Sequence, residues 1–270
     1  MKFQTALCQM RTELDDALTM DKTEDMVRKA AQNGAQVVCL PEMFSCPYDN
    51  AYFAGGKARQ RETVASLSAW ARANRVILIG GSIPEEENGR LYNTSFIFNG
   101  SGEMIARHRK IHLFDVDLPG MRFQESASFS AGEEITVFDT PFGRFGVAIC
   151  FDVRFPELFR AMARRGAEMI FLPAQFNGKT GPAHWEITLR MRALDNEIFV
   201  AGASAARYEG FSYECWGHSL VADPYGTVIA SCDEKEQILT AEIDLDRIRQ
   251  VRAQLPTFLH LRRQIYSVAE

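Results

Sequence analysis

The chain has 270 residues, a net charge of −5 and 46% hydrophobic residues, with a sequence pI of about 5.7. This is the composition of a soluble globular protein, long enough for one large domain or two small ones. The acidic balance argues against nucleic acid or an anionic membrane as partner, and no apolar run approaches membrane-spanning length. The first ten residues are too short and too polar for a signal peptide, so a cytoplasmic protein is expected. Cysteines stand at 8, 39, 46, 150, 215 and 232 without a C-x-x-C pair, which argues against a zinc ribbon. In a reducing compartment they are expected as free thiols.

In chain order, apolar patterning and turn residues predict a strand over 3–10 and a helix over 14–33 closed by Gly34. A short strand over 37–40 ends at Pro41-Glu42. A helix over 57–74 and a buried strand over 76–83 follow. Strands over 92–98 and 103–109 flank Asn99-Gly100-Ser101-Gly102, a hairpin signal. Residues 111–131 read as a long loop. Strands over 135–138 and 145–150 precede a helix over 157–165, a strand over 168–172, a helix over 182–197 and a strand over 199–203. A second hairpin pairs 217–222 with 227–231 around Pro224-Tyr225-Gly226. A last strand over 238–243 leads to a short helix over 244–253. The tail, 254–270, carries Phe258, Leu259, Leu261, Ile265 and Tyr266. That is too much apolar surface to leave free, so it is expected to pack across a twofold dimer or back on its own subunit.

The chain repeats itself. Gly34-Ala35-Gln36-Val37-Val38-Cys39-Leu40-Pro41-Glu42-Met43-Phe44 matches Gly166-Ala167-Glu168-Met169-Ile170-Phe171-Leu172-Pro173-Ala174-Gln175-Phe176. The segment 92–106 resembles 216–230, and Phe3-Gln4-Thr5-Ala6-Leu7-Cys8 resembles Phe145-Gly146-Val147-Ala148-Ile149-Cys150, in the same order. Two copies of one α/β unit predict two stacked sheets with helices outside, a four-layer α-β-β-α sandwich with an internal pseudo-twofold. The repeat separates scaffold from chemistry. Leu-Pro-x-x-Phe occurs in both halves and is structural, whereas Glu42 stands where the second half has Ala174. Cys8 matches Cys150, so a cysteine suits that strand end for packing reasons alone.

Glu42, Lys110 and Cys150 end buried strands at loops, where α/β folds place reactive groups. A thiolate is a strong nucleophile, and a nearby ammonium lowers its pKa and stabilises an oxyanion. A carboxylate in a dry pocket shuttles protons. Each residue also has a bland reading, as a solvated charge or a core thiol.

Leu40-Pro41-Glu42, Arg109-Lys110-Ile111-His112-Leu113-Phe114-Asp115 and Cys150-Phe151-Asp152-Val153-Arg154-Phe155-Pro156-Glu157 resemble the three signature blocks of the nitrilase superfamily of carbon–nitrogen hydrolases, in family order. The resemblance spans nearly the whole chain and implies the same four-layer sandwich, with a hydrolase domain over 1–253. Ser45-Cys46-Pro47-Tyr48, Gly80-Gly81-Ser82-Ile83-Pro84, Thr180-Gly181-Pro182-Ala183-His184-Trp185-Glu186 and Trp216-Gly217-His218-Ser219 extend it toward the omega-amidase branch. Phe151 departs from the Tyr common in close relatives.

The resemblance implies a metal-free, cofactor-free amidase in which Cys150 is nucleophile, Glu42 proton shuttle, and Lys110 with the Phe151 backbone N–H the oxyanion donors. Glu125 matches a second glutamate near the site. The implied substrates are 2-oxoglutaramate and 2-oxosuccinamate, with deaminated glutathione the alternative, and the implied assembly is a homodimer. Such a substrate carries a carboxylate far from its amide, which calls for a cationic pocket. Tyr48, Phe114, Arg154, Thr180 and His184 are candidates to line that pocket. Arg154 reads first as a buried ion pair bracing the loop after Cys150, His184 as ordering its loop, and Trp185 as core. A papain-like hydrolase lacks a signature histidine here. A metal-dependent phosphodiesterase on a similar sandwich would call on Asp152, Asp195, Asn196 and His218 as ligands.

Overall fold

The computed structural model describes residues 1–207, 213–262 and 264–265; Tyr266 of the tail lies outside them. The strands are β1 (Lys2–Gln9), β2 (Val37–Cys39), β3 (Ile77–Ile79), β4 (Ile83–Glu87), β5 (Arg90–Phe98), β6 (Met104–Arg109), β7 (Asp115–Leu118), β8 (Met121–Gln124), β9 (Thr136–Thr140), β10 (Gly143–Val147), β11 (Met169–Ala174), β12 (Phe199–Ser204), β13 (Leu220–Ala222), β14 (Val228–Ser231) and β15 (Gln237–Asp244). The helices are α1 (Asp16–Gln32), α2 (Asn50–Ala58), α3 (Gln60–Asn74), α4 (Pro156–Arg164), α5 (Gly181–Asn196) and α6 (Asp246–Gln254).

Two sheets carry the fold. One runs β15-β1-β2-β3-β5-β4 with β6 also paired to β5; the other runs β14-β13-β12-β11-β10-β9. The central strands β1, β2 and β3 are parallel, as are β10, β11 and β12. Parallel strands are buried on both faces, and these read accordingly as continuous apolar runs. Leu7, Val37, Ile79, Phe145, Phe171 and Val221 fill the layer between the sheets. Helices α1 and α3 cover the first sheet through Met26, Val27 and Trp70. Helices α4 and α5 cover the second through Phe159, Met162, Trp185 and Leu189. The expected four layers are present.

The pseudo-twofold is present as well. β1, β2 and β3 correspond to β10, β11 and β12, and the β5–β6 hairpin corresponds to β13–β14. Backbone corners repeat with them: Gly34 and Gly166 have φ of 92° and 90°, Arg75 and Glu197 of 55° and 52°, Gly102 and Gly226 of 81° and 78°. At the glycines no Cβ opposes the left-handed conformation. β15, the last strand, returns to the first sheet and pairs with β1, Lys2 opposite Asp244.

The structure alters three expectations. The helix expected over 57–74 is two, because α2 is opened earlier by Asp49, whose side chain accepts from Ala51 N at 2.9 Å; its paired glycines mask it from propensity. The strand expected over 76–83 breaks at Gly80-Gly81 into β3 and β4. The long loop over 111–131 contains the β7–β8 hairpin and a 3₁₀ turn, Glu125–Ala127.

The tail folds back as far as Phe258. Glu197, buried and in a left-handed corner, accepts from Thr257 N at 2.9 Å and Thr257 Oγ1 at 2.6 Å. Phe258 packs against the α4–α5 layer between the guanidinium groups of Arg160 and Arg252. Leu259 and Ile265 remain 72% and 66% exposed.

Candidate active site

Lys110 immediately follows β6 and is wholly buried, a position that demands compensating charge. Its Nζ donates to Glu42 Oε1 and to Glu125 Oε2, both at 2.8 Å, and to the Tyr48 hydroxyl at 3.3 Å. Glu42 lies just past β2 and Glu125 opens the 3₁₀ turn after β8; both are as buried as the lysine. Burial works against the ammonium, but the charges of Glu125 and Glu42 outweigh it and hold the Lys110 pKa above its ordinary value.

Asn93 on β5 joins the two glutamates. Its Nδ2 donates to Glu42 Oε1 at 2.8 Å and to Glu125 Oε1 at 2.9 Å. The second oxygen of Glu125 also accepts from Phe114 N at 2.6 Å. Burial and the Glu42 charge hold the Glu125 carboxyl above its ordinary value, and Lys110 and Asn93 offset them only in part. Every group these hydrogen bonds bring to it is a donor, so Glu125 sits as an acceptor-only carboxylate. Glu42 is pinned from the opposite sheet, where Gln175 N donates to its Oε2 and Gln175 Nε2 to its main-chain oxygen, both at 2.9 Å.

Cys150 does not end a strand. β10 stops at Val147, and Cys150 opens a 3₁₀ turn, Cys150–Arg154, with φ of 45°. The residue is 5% exposed, and the Glu42 carboxylate acts on its thiol. Burial and the Glu42 charge push the thiol well above its ordinary range, and Lys110 offsets them only in part. The ammonium lowers the thiol's pKa as expected, but burial and the carboxylate outweigh it, so the resting group is a thiol beside Glu42.

Aromatic rings wall this cluster. Tyr48 stacks on Phe123 at 5.1 Å and meets Tyr213 at 4.8 Å, while Phe114 meets Phe151 edge-on at 5.2 Å. Burial, with the charges of Glu125 and Glu42, keeps the Tyr48 hydroxyl neutral. Beyond Phe151 lies a second polar group. Arg154 Nη1 donates to His184 Nδ1 at 3.1 Å and Nη2 to Thr180 Oγ1 at 3.3 Å. Arginine has no acceptor, so the His184 proton is on Nε2. No carboxylate among the described residues pairs with Arg154, which corrects the buried ion-pair reading. Burial holds its pKa below the ordinary value, offset only in part by Cys150 and Tyr213. A cleft of about 540 Å³ opens nearby between the tip of the β7–β8 hairpin and residues 177–179.

Glu42, Lys110, Glu125, Cys150 and Tyr48 are therefore in one contact network, and Arg154, Thr180 and His184 form an adjoining one. Trp185 is core, 1% exposed against Phe176. Asn93, Gln175 and Tyr213 were missed, and Asp152 was named only as a metal ligand. The half-to-half comparison that singled out Glu42 would have found Asn93 and Gln175, which stand opposite Gly217 and Met43. The metal-ligand set does not assemble. Asp195 pairs with Arg192 at 3.6 Å, Asn196 donates to the Arg192 carbonyl, and His218 stacks on Trp216. Among the described residues no group of three His, Cys, Asp or Glu side chains could hold a metal ion, and no helix is long and apolar enough to cross a membrane.

A family description of carbon–nitrogen hydrolases matches residues 4–253. Omega-amidase NIT2-A of Xenopus laevis is 45% identical over 271 aligned positions, covering 100% of this chain and 98% of that protein. The crystal structure of Saccharomyces cerevisiae Nit3, a member of branch 10 of the nitrilase superfamily, superposes with a TM-score of 0.89 at 37% identity, covering 97% of each chain. An amidase mutant from Nesterenkonia sp. AN1, bearing the acetamide moiety of fluoroacetamide on its active-site cysteine, superposes with a TM-score of 0.81 at 26% identity, covering 94% of this chain and 95% of that one. The fold and these likenesses define a carbon–nitrogen hydrolase. This chain belongs to that family, within the nitrilase superfamily, and is an amide-hydrolysing enzyme.

Proposed function

We propose that the chain is an omega-amidase: it hydrolyses the terminal amide of small 2-oxo dicarboxylic acid monoamides, 2-oxoglutaramate and 2-oxosuccinamate, through a Cys150 thioester. The observation that carries this reading is the buried Glu42–Lys110–Glu125 network against the Cys150 thiol, with Arg154 held beside it and free of any carboxylate among the described residues. Glu42 takes the thiol proton as sulfur bonds to the amide carbon. The oxygen gains the negative charge between Lys110 Nζ and the Phe151 N–H. That N–H lies in the first turn of a 3₁₀ helix, where amides have no intrahelical acceptor. Glu42 returns the proton to nitrogen, the C–N bond breaks, ammonia leaves and the thioester remains. Water then gives a proton to Glu42 and adds to the thioester carbon. Collapse expels sulfur, which regains its proton, and the acid is released. Tyr48 and Glu125 hold Lys110 in place. Phe114 and Thr180 line the path to Arg154, which takes the remote carboxylate, and His184 orients its guanidinium group.

Ammonia release from 2-oxoglutaramate, deaminated glutathione and a simple nitrile tests the assignment without added metal. Cys150→Ala should lower turnover by about 10⁴ or more. Arg154→Met should raise KM for the carboxylate-bearing amide by roughly tenfold or more, the worth of a charge-assisted pair, and leave a neutral amide unaffected. A fully active Cys150→Ala enzyme sinks the mechanism, and preference for deaminated glutathione sinks the substrate.

The domain is taken as 1–253; the tail packs on its own subunit as far as Phe258, and the exposed Leu259 and Ile265 beyond it are assigned to a second copy. Exposed Ile187 and Met191 on α5 and Leu259 and Ile265 in the tail support a homodimer. Light scattering that returns a monomer mass at micromolar concentration overturns it. Six free cysteines support a reducing, cytoplasmic setting.

A further inference from the structure

We infer that Asp152 is a positioning residue for the reaction, a clamp that holds the Cys150 turn and residues 110–112 in one register. The inference rests on the proposed roles of Cys150 and Lys110. Asp152 is wholly buried, yet its carboxylate touches neither the Cys150 thiol nor the Lys110 ammonium. Its Oδ2 accepts from Ile149 N at 2.9 Å, on the near side of Cys150. Its Oδ1 accepts from His112 N at 2.9 Å and His112 Nδ1 at 2.7 Å, just beyond Lys110. His108, just before Lys110 on β6, brings Nε2 within 3.5 Å of Oδ2. One carboxylate thus reaches both sides of Lys110 and the residue before Cys150.

The clamp acts at a strained place. Cys150 is a non-glycine residue with φ of 45°. Such a conformation costs roughly 1–3 kcal/mol and persists only where its surroundings over-determine it. Asp152 supplies that determination from within the turn: its own N–H donates to Ile149 O at 3.0 Å while its side chain accepts from Ile149 N. His112 is held in turn by stacking on Phe155, ring centroids 3.5 Å apart. The first half of the chain provides the comparison. There Met10 stands where Asp152 does, β1 runs straight through Cys8, and Cys8 has no left-handed corner. The scaffold does not need the clamp; the chemistry does. Burial would raise the Asp152 carboxyl, but nearby His108 and the hydrogen bonds from His112 and Ile149 N outweigh it and hold the group well below its ordinary range. It therefore stays an acceptor at every pH where the enzyme works.

Asp152→Asn is isosteric but keeps one acceptor oxygen, so it cannot serve both Ile149 N and His112. It should lower kcat by about a hundredfold, the cost of a misplacement near 1 Å, with KM within about threefold. Alkylation of Cys150 by iodoacetamide should slow in parallel. His112→Ala keeps the Ile149 bond and should lower kcat by roughly tenfold. Combined with Asp152→Asn it should add little, as members of one unit do. All rates are taken per folded molecule, from near-ultraviolet circular dichroism. Normal kcat in both single variants, with only a lowered Tm, overturns the clamp. Should Asp152→Asn fail to fold, kcat in His112→Ala decides by the same criterion. Cys150→Ala separates the two claims: if it is inactive while the clamp variants are normal, only the clamp falls.

Discussion

Glu42 and Ala174, Asn93 and Gly217, and Gln175 and Met43 occupy matching places in the two halves, and in each pair the departure from the repeat leads to the site. Asn93 is the least obvious of them. It sits on β5, fully buried, and donates both amide hydrogens to carboxylates. A hydrogen bond to a charged group is worth about 1.5–3 kcal/mol, and Asn93 supplies one to each of two glutamates that otherwise repel across the buried lysine. Asn93→Ala should therefore lower kcat by roughly ten- to a hundredfold, with little change in KM. Unchanged kcat in steady-state ammonia release would show that Lys110 alone orders the pair. Asn93 was hard to single out locally, because it stands in the polar stretch Asn93-Thr94-Ser95. Its partners were not legible locally either, since Glu42 and Glu125 reach it from 51 and 32 residues away.

Most elements were legible because each has a period or a stop signal of its own. Of those missed, α2 and the break at Gly80-Gly81 were hidden by glycine. At Gly80-Gly81 the apolar run continues, so pattern alone could not show the break. The reason for it is spatial: a Cβ on Gly81 would lie 2.1 Å from the Pro41 carbonyl oxygen, and its φ is 57°. The break lets β3 pass under the Leu40-Pro41-Glu42 corner that presents the Glu42 carboxylate. Gly81→Ala should cost about 3 kcal/mol or more. Gly34→Ala, with φ of 92° but nothing within 4 Å of the added carbon, should cost about 1–2 kcal/mol. Urea midpoints would settle this, and equal losses would refute the contact. The β7–β8 hairpin was legible but passed over: Asp115-Val116-Asp117-Leu118 and Met121-Arg122-Phe123-Gln124 alternate polar and apolar around Pro119-Gly120, a strand–turn–strand pattern.

Across the whole molecule the thiols share one electrostatic condition. Burial pushes Cys8 and Cys46 up to about 12, and holds Cys39, Cys150 and Cys215 well above the ordinary value of 9.0. The sign follows from linkage. Below about pH 9 the thiols are protonated in both states, and their contribution is constant. Above it the unfolded chain releases protons that the folded chain retains, so stability falls by about 1.4 kcal/mol per pH unit for each such thiol. Raised Lys110 adds a loss of the same sign above its ordinary value of 10.5. Urea midpoints should be level from about pH 7 to about pH 8.5 and drop steeply by about pH 10. A flat profile to that pH would mean the thiols are not shielded from water.

By itself the sequence determined the two-fold α/β plan, the layers and the reactive types at Glu42, Lys110 and Cys150. Local periodicity sets strands and helices, and a repeat implies its own symmetry. Only the tertiary structure decided how those groups are charged and held. A thiol's protonation depends on the sum of burial, a carboxylate and an ammonium from three separate segments. The placement of Arg154 beside His184 rather than a carboxylate, and of Asp152 between the Lys110 and Cys150 segments, depends on distances across 30 and 40 residues. No local pattern encodes them.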